Sequence, residues 1–584
     1  MNSFLFSKLV DVYEALEKIT SGNAMRAILA ELFKKVPRDE IDMVAYLTLG
    51  KIASDYEEIV LGMAEKMVLK TIALSAGESE KKVHELYKKK GDIGLVAEEL
   101  SGAGQTPLVA KKALTIRSVF EGLHKIAAAT GTGSQEAKMN ILLGLLRNAS
   151  PKEAKYIVRI VLGTLRLGVG DMTVLDSLAI AFTGTKANKA LLEHAYNICP
   201  DVGIIAKTIA TKGLAGIKKI GVVVGRPIQM MLSQRIKTLE EVQKHMPWPV
   251  AVEEKYDGER IQVHKDGSKV TLYSRRLENI TSQFPDIVEA ILRTVSAKSC
   301  VIEGEACPID DKGNLLPFQV LMQRRRKYEI EKYVKKIPVT LFLFDILYLN
   351  GRSLINESYP NRYKELTSVV KPSKAIQFAN RSLCYDIDCI ENLFQKVLEH
   401  GGEGVMIKST AQEAVYQAGT RGWLWIKWKP EYAKELADTF DLVVIGAFHG
   451  RGKRSGSYGA LLCAAYNEKL DRFESFCKLG SGFTDADLEE MPKLFKKYVV
   501  QNKPARVEVS KLMVPDVWFE PRVVVEVIGA EITRSPTHTT AMEHGQGLAL
   551  RFPRFVRYRN DKKPEQATTS VEILQMYQKR VRQK

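Results

Sequence analysis

The stretch "EEKYDGERIQVHKDGSKVTLYSRR" (253–276) holds two Asp-Gly steps, and their reading decides the fold of the chain's centre. The second step lies between "RIQVH" and "KVTLY", runs rich in β-branched and aromatic residues, so it reads as a hairpin turn. The first follows Lys255, which stands among four carboxylates, Glu253, Glu254, Asp257 and Glu259. One reading makes residues 253–260 a charged hairpin edge, because Asp-Gly turns between charged strand ends face solvent. The other makes Lys255 a nucleophile, because a lysine amine attacks only where its surroundings lower its pKa or take its proton. A Schiff-base lysine sits in an apolar pocket, and none is visible here. Attack on a triphosphate instead calls for cations near the phosphates and carboxylates that hold a divalent metal.

Around this stretch the same texture continues to about residue 430. "CVIEGEACPIDDKGNLLPFQV" and "PVTLFLFDILYLNG" supply strands, "DDKGN" a second hairpin turn, and "FPDIVEAILRTV" a helical pattern between them. The expectation is a mixed α/β domain with largely antiparallel sheet, over 226–432. Residues 1–225 read as an all-α domain. In "EAKYIVRIVLGTLRLG" (153–168), Ile157, Ile160, Val161 and Leu165 recur at helical spacing. "SGNAMRAILAELFKKV" and "SQEAKMNILLGLLRN" open with serine, as capped helices do. Over 433–584 short strands recur. "DLVVIGAFHGRGKRSGSYGALLCAAY" gives two joined by a basic, glycine-rich loop, and "RVEVSKL", "VVVEVIGAEI" and "RFVRYR" give more. That spacing predicts a small barrel, and for a basic one an OB-fold. The peptide "KPEYAKELADTFD" (429–441) is the expected hinge.

The 584 residues are enough for several domains, and 45% hydrophobic with 27% charged residues fits an ordinary globular protein. The formal charge of +17 favours a polyanionic partner, nucleic acid ahead of membrane, since no long basic amphipathic helix stands out. No apolar run is long enough to span a bilayer, and "MNSFLFSKLVDVYEAL" lacks the basic n-region of a signal peptide, so the expected location is cytoplasmic. Seven cysteines, with no CxxC pair, argue against a zinc ribbon or a disulfide framework and read as small core residues.

The central domain also supplies the charged groups that a triphosphate requires. "LYSRRLENIT" gives Arg275 and Arg276 at a strand end, and "VIEGEA" gives Glu303 and Glu305, which alternation puts on one face. "LFLFDILYLNG" gives Phe344 and Asp345 in a buried-looking strand. "GGEGVMIK" gives Glu403 beside glycines that allow close backbone approach, and "TRGWLWIKWK" gives Arg421, Lys427 and Lys429. Each match alone is weak; their order is specific.

That order resembles the ATP-dependent DNA ligases of the archaeal and eukaryotic replicative type, within the covalent nucleotidyltransferase superfamily. Lys255-Tyr-Asp257-Gly258 resembles their KxDG motif, and Arg559-x-Asp561-Lys562 in "LRFPRFVRYRNDKKPEQATT" resembles their RxDK motif. The resemblance spans nearly the whole chain and includes "EAKYIVRIVLGTLRLGVGDMTVLDSLA", similar to the family's DNA-binding segment. It implies an enzyme that joins a 3′-hydroxyl to a 5′-phosphate in nicked duplex DNA, with ATP as co-substrate and Mg²⁺ (or Mn²⁺) as cofactor. By resemblance Lys255 attacks the α-phosphorus of ATP, Glu253 meets the adenine amino group and Phe344 stacks on the ring. Arg260 and Arg275 contact ribose, phosphate or the nick; Glu305 and Glu403 contact the nucleotide and the metal. Arg421, Lys427 and Lys429 neutralise the α-phosphate, and Arg559 and Lys562 orient the leaving pyrophosphate. The encircling architecture of the family implies a monomer. A sliding-clamp peptide, glutamine followed by paired aromatics, is not evident, because "GAGQTPLVAKK" (102–112) has the glutamine without the aromatics. An mRNA capping guanylyltransferase or RNA ligase shares the lysine motif but not the helical domain before it. A non-catalytic DNA-binding scaffold is the alternative of another class.

Overall fold

The computed structural model describes residues 3–101, 112–236, 238–324, 330–399, 402–429, 439–450, 457–529 and 531–582. The segment considered for clamp binding lies outside them except for Lys112, and residues 430–438 of the expected hinge lie outside them. The chain forms two compact units. One comprises Met1–Gln234, Gln243–Ile390 and Met406–Ile426; the other comprises Arg235–Val242, Glu391–Val405 and Lys427–Lys584.

In the first unit, helices from Phe6–Glu17 to Val202–Ile217 share a core that includes Leu9, Tyr13, Phe33, Val119, Tyr156, Leu175 and Ile205. Ser21 caps the helix Gly22–Lys35, as the sequence led one to expect. Ser134 does not act in that way: Gly133, at φ +80°, holds the N-cap of Ser134–Asn148 and offers no side chain. The helix Pro151–Val161 opens on a capping box, with Ser150 N–H donating to Glu153 at 2.8 Å. It ends at Val161, so Leu165 lies beyond the helix and not on its face. Every residue from Glu153 to Val161 is buried. The helix is therefore enclosed on all sides rather than striped, and its two buried cations are paired: Lys155 with Glu14 at 2.6 Å and Glu17 at 2.9 Å, Arg159 with Asp92 at 3.0 Å.

Eleven strands follow: β1 (Leu232–Arg235), β2 (Val250–Glu254), β3 (Glu259–Asp266), β4 (Lys269–Ser274), β5 (Ser299–Pro308), β6 (Val339–Leu349), β7 (Arg352–Ser353), β8 (Ile376–Phe378), β9 (Arg381–Cys384), β10 (Val405–Ser409) and β11 (Arg421–Trp428). They build two sheets, β1-β11-β10-β2-β9 and β4-β3-β5-β6-β7, with β8 parallel to β6. The expected hairpin is present: Asp266 pairs with Lys269, and Gly267 takes φ +56° in the turn. Ile261, Val263, Leu272, Ile302, Leu341 and Leu343 form the core of the second sheet, covered by Ile287 and Ile291 of the helix Pro285–Thr294. Because β2 belongs to one sheet and β3 to the other, residues 255–258 carry the chain across between them.

The second unit is strand-rich, as an OB-fold is. β12 (Phe440–His449), β13 (Tyr458–Asn467) and β14 (Arg472–Leu479) form an antiparallel meander. A bulge between Val444 and Gly446 bends β12, so one strand serves two neighbours on the same edge. Its first half pairs with Val524–Ile528 and its second with Val517–Phe519. The stretch "ITRSPTHTTAMEHGQGLALRF" falls in a separate small sheet of three strands, Glu531–Ser535, Thr540–Glu543 and Gln546–Arg551.

One expectation about the cysteines is corrected. Cys384 and Cys389 form a disulfide, while Cys199, Cys300, Cys307, Cys463 and Cys477 are buried free thiols. The pairing arises because β9 and the helix Ile387–Glu399 that follows it bring together two cysteines five residues apart.

Candidate active site

Lys255 is half-buried at the crossing from β2 to β3. Gly258 makes the crossing tight: a Cβ there would meet the Ala306 carbonyl oxygen at 2.4 Å and Glu305 Cγ at 2.9 Å. The glycine of the KxDG motif is thus required by close approach of β5. In the β3–β5 register Arg260 stands opposite Glu305, and Gln262 opposite Glu303, so the expected shared face exists. Its two glutamates differ in kind. Glu303 is fully buried and accepts from Arg260 at 2.8 Å, Gln262 at 3.1 Å and Tyr416 at 2.9 Å, which makes it a structural hub. Glu305 has its pKa pushed up to about 7 by burial, against the pull of the Lys255 and Arg260 charges. A carboxylate held in that state suits a cation that arrives with its ligand.

Arg260 also donates to the Met231 carbonyl at 2.8 Å and lies 5.3 Å from the ring centres of Phe344 and of Trp425. Its Nε has no acceptor among the described residues. Phe344 is half-buried, and the neighbouring Asp345 is fully buried in a two-bonded pair with Arg362, at 2.7 and 2.9 Å. Glu253 is buried in β2, with Lys408 at 2.7 Å from one carboxylate oxygen and the Tyr359 hydroxyl donating to the other. Arg381, which faces Glu253 in the β2–β9 register, donates to the Tyr359 oxygen at 3.1 Å. Arg275 and Arg421 are exposed, the first just past β4 and the second at the start of β11.

The second unit holds the remaining residues. Glu403 is paired with Lys429, and Gly404 takes φ +137° with the Trp428 carbonyl 2.3 Å from where a Cβ would be. Lys427 is half-buried near the end of β11. Arg559 and Lys562 converge on one carboxylate, Asp441, at 2.9 and 2.6 Å, while Asp561 binds Arg559 at 2.8 Å. The structure therefore gathers Glu253, Lys255, Arg260, Glu305 and Phe344 in the first unit. In the second it gathers Glu403 with Lys429, and Arg559 with Lys562.

Sequence reasoning missed Lys408, Tyr359, Arg381 and Asp441. Lys408 ends the quoted "GGEGVMIK" and was the signal available: a lysine closing an apolar strand that alternation turns inward. Among the described residues no three His, Cys, Asp or Glu side chains cluster as a metal cage. No helix among the described residues is long and apolar enough to cross a membrane.

Comparison with known proteins matches all three parts of the chain. Residues 5–179 match the family model "DNA ligase N terminus", 230–429 match "ATP dependent DNA ligase domain", and 454–562 match "ATP dependent DNA ligase C terminal region". DNA ligase 2 of Thermofilum pendens is 49% identical over 98% of this chain and 97% of its own. The DNA ligase of Staphylothermus marinus is 46% identical over 99% of both. The solved structure titled "Pmar-Lig_Pre." shares the fold, with TM-score 0.54 at 18% identity over 94% of this chain and 99% of that one. The chain belongs to the ATP-dependent DNA ligases. It is an enzyme that consumes ATP, with a divalent metal, to seal nicks in duplex DNA, and the capping and scaffold alternatives are not favoured.

Proposed function

We propose that Lys255 is the nucleophile of a three-step reaction. Its amine attacks the α-phosphorus of ATP, forms a lysyl-AMP phosphoramidate and expels pyrophosphate. AMP then passes to the 5′-phosphate of the nick, and the 3′-hydroxyl displaces it as the phosphodiester forms. The observation that carries this reading is the position of Lys255 at the crossing between two sheets, where its charge acts on the half-buried Glu305. Phosphoryl transfer is mostly positioning and charge neutralisation, which such a setting serves.

Glu253 takes the adenine amino group, Phe344 stacks on the base, and Arg260 and Arg275 take ribose, phosphate or the nick. Arg421, Lys427 and Lys429 neutralise the α-phosphate, and Arg559 and Lys562 orient the leaving pyrophosphate. Glu305 and Glu403 would hold Mg²⁺, which when bound neutralises charge that develops on the phosphates. The functional domains are 1–225, 226–432 and 433–584, acting as a monomer in the cytoplasm. The clean test is self-labelling with α-labelled ATP and Mg²⁺. Label should be lost in Lys255→Ala and released from wild type onto nicked DNA; label retained by Lys255→Ala would sink the assignment.

A further inference from the structure

The Lys408 ammonium lies inside a cage of three rings, 4.5 Å from the centre of Trp425, 4.7 Å from Phe344 and 4.8 Å from Tyr359. It is about 1% exposed, is paired with Glu253 at 2.7 Å, and donates to the Phe344 carbonyl at 3.4 Å. One buried cation thus touches both residues assigned to the base, the carboxylate and the ring. We infer that Lys408 is a specificity-determining residue: it fixes the Glu253 carboxylate as an acceptor and so selects a purine bearing a 6-amino group over one bearing a 6-oxo group. The inference rests on the reading of Glu253 above.

The chemistry follows from donor and acceptor counts. An ionised carboxylate only accepts, whereas a protonated one also donates. Facing Glu253, the adenine amino group would donate to the carboxylate; the guanine oxygen would meet a second acceptor. Glu253 is 3% exposed, and a carboxylate so buried needs partners for both oxygens. Its partners are Lys408 on one oxygen and the Tyr359 hydroxyl on the other, the latter itself held by Arg381. Without Lys408 one carboxylate oxygen loses the cation that holds it, the acceptor is no longer fixed towards the base, and the discrimination between the two purines weakens. The three rings add a second effect. They stabilise the ammonium by cation–π attraction, so Lys408 also ties the plane of Phe344 to the position of Glu253. Lys408 touches no reacting atom and acts through Glu253 and Phe344, which makes it a positioning residue for the base.

The test is self-labelling of the full chain with α-labelled ATP and α-labelled GTP, taking kcat and KM for each. In Lys408→Met the ATP-over-GTP ratio of kcat/KM should fall by roughly tenfold or more, carried by KM and with kcat for ATP nearly unchanged. Lys408→Arg should restore most of the ratio. In a Glu253→Gln background the further change Lys408→Met should move the ratio by no more than about twofold, because its route to the base is already cut. If Lys408→Met does not fold, Tyr359→Phe reads the same carboxylate from its other side and should lower the ratio in the same direction. A Lys408→Met enzyme that keeps the wild-type ratio while Glu253→Gln loses it would overturn this inference alone. A Glu253→Gln enzyme with the wild-type ratio would overturn the assignment of Glu253 and this inference with it.

Discussion

At the scale of single residues, the chain shows how a motif letter acquires a physical cause. Gly258 is glycine because the β5 backbone occupies the space that a side chain would need. His264 shows a constraint that no motif contains. It is buried in β3, its Nδ1 accepts from the Gly225 amide at 3.0 Å and its Nε2 donates to Gln262 at 2.9 Å. Burial lowers its pKa from 6.5 to about 3. Because the folded value is depressed, this residue's contribution is fully present above about pH 6.5. It drains away as pH falls towards 3, by up to about 1.4 kcal/mol per pH unit. Urea midpoints measured from pH 7 to pH 4 should therefore fall more steeply for wild type than for His264→Gln; parallel curves would count against the assignment. The placing of Glu303 and Glu305 on one face near Lys255 was legible in the sequence, because strand alternation fixes face. Tyr359 and Arg381 were not, since each acquires its meaning from Glu253, more than a hundred residues away in the chain; Lys408 was marked only by its place closing an apolar strand.

At the scale of elements, sequence periodicity succeeded where one face of an element meets water and failed where none does. The hairpin at Gly267 and the helix Pro285–Thr294 were readable. The helix Pro151–Val161 looked striped, yet its polar face is buried as well, because Glu14 and Glu17 of the helix Phe6–Glu17 and Asp92, just before the helix Ile93–Ser101, arrive to pair Lys155 and Arg159. Two cations at the end of the barrel behave alike: the sequence marks Arg559 and Lys562 but not Asp441, the carboxylate that holds both from the start of β12. If those cations must be aimed to meet pyrophosphate, the aim depends on Asp441. Asp441→Asn is expected to slow self-adenylation by about tenfold while sealing of pre-adenylated nicks, which involves no pyrophosphate, stays within about twofold. Equal loss in both assays would make Asp441 a residue of general stability only.

At the scale of the whole molecule, the surplus of 17 positive charges sets the response to salt. Contacts to phosphates release counterions, so affinity for a nicked duplex should fall by about 10³ or more between 50 and 200 mM salt if six or more phosphates are held. A shallow dependence would mean that few of these charges reach the backbone, and a gel-shift series across salt reads it directly. The seven cysteines have a different use. Five are buried and the other two are locked to each other, so the oxidised, folded protein presents no surface thiol. Its exterior is chemically blank to maleimides. One cysteine engineered on each of two outward positions would then be the only points where a fluorophore attaches, without first deleting native residues, provided reductant is left out. The enzyme is in that sense already a chassis for distance measurements on single molecules during catalysis.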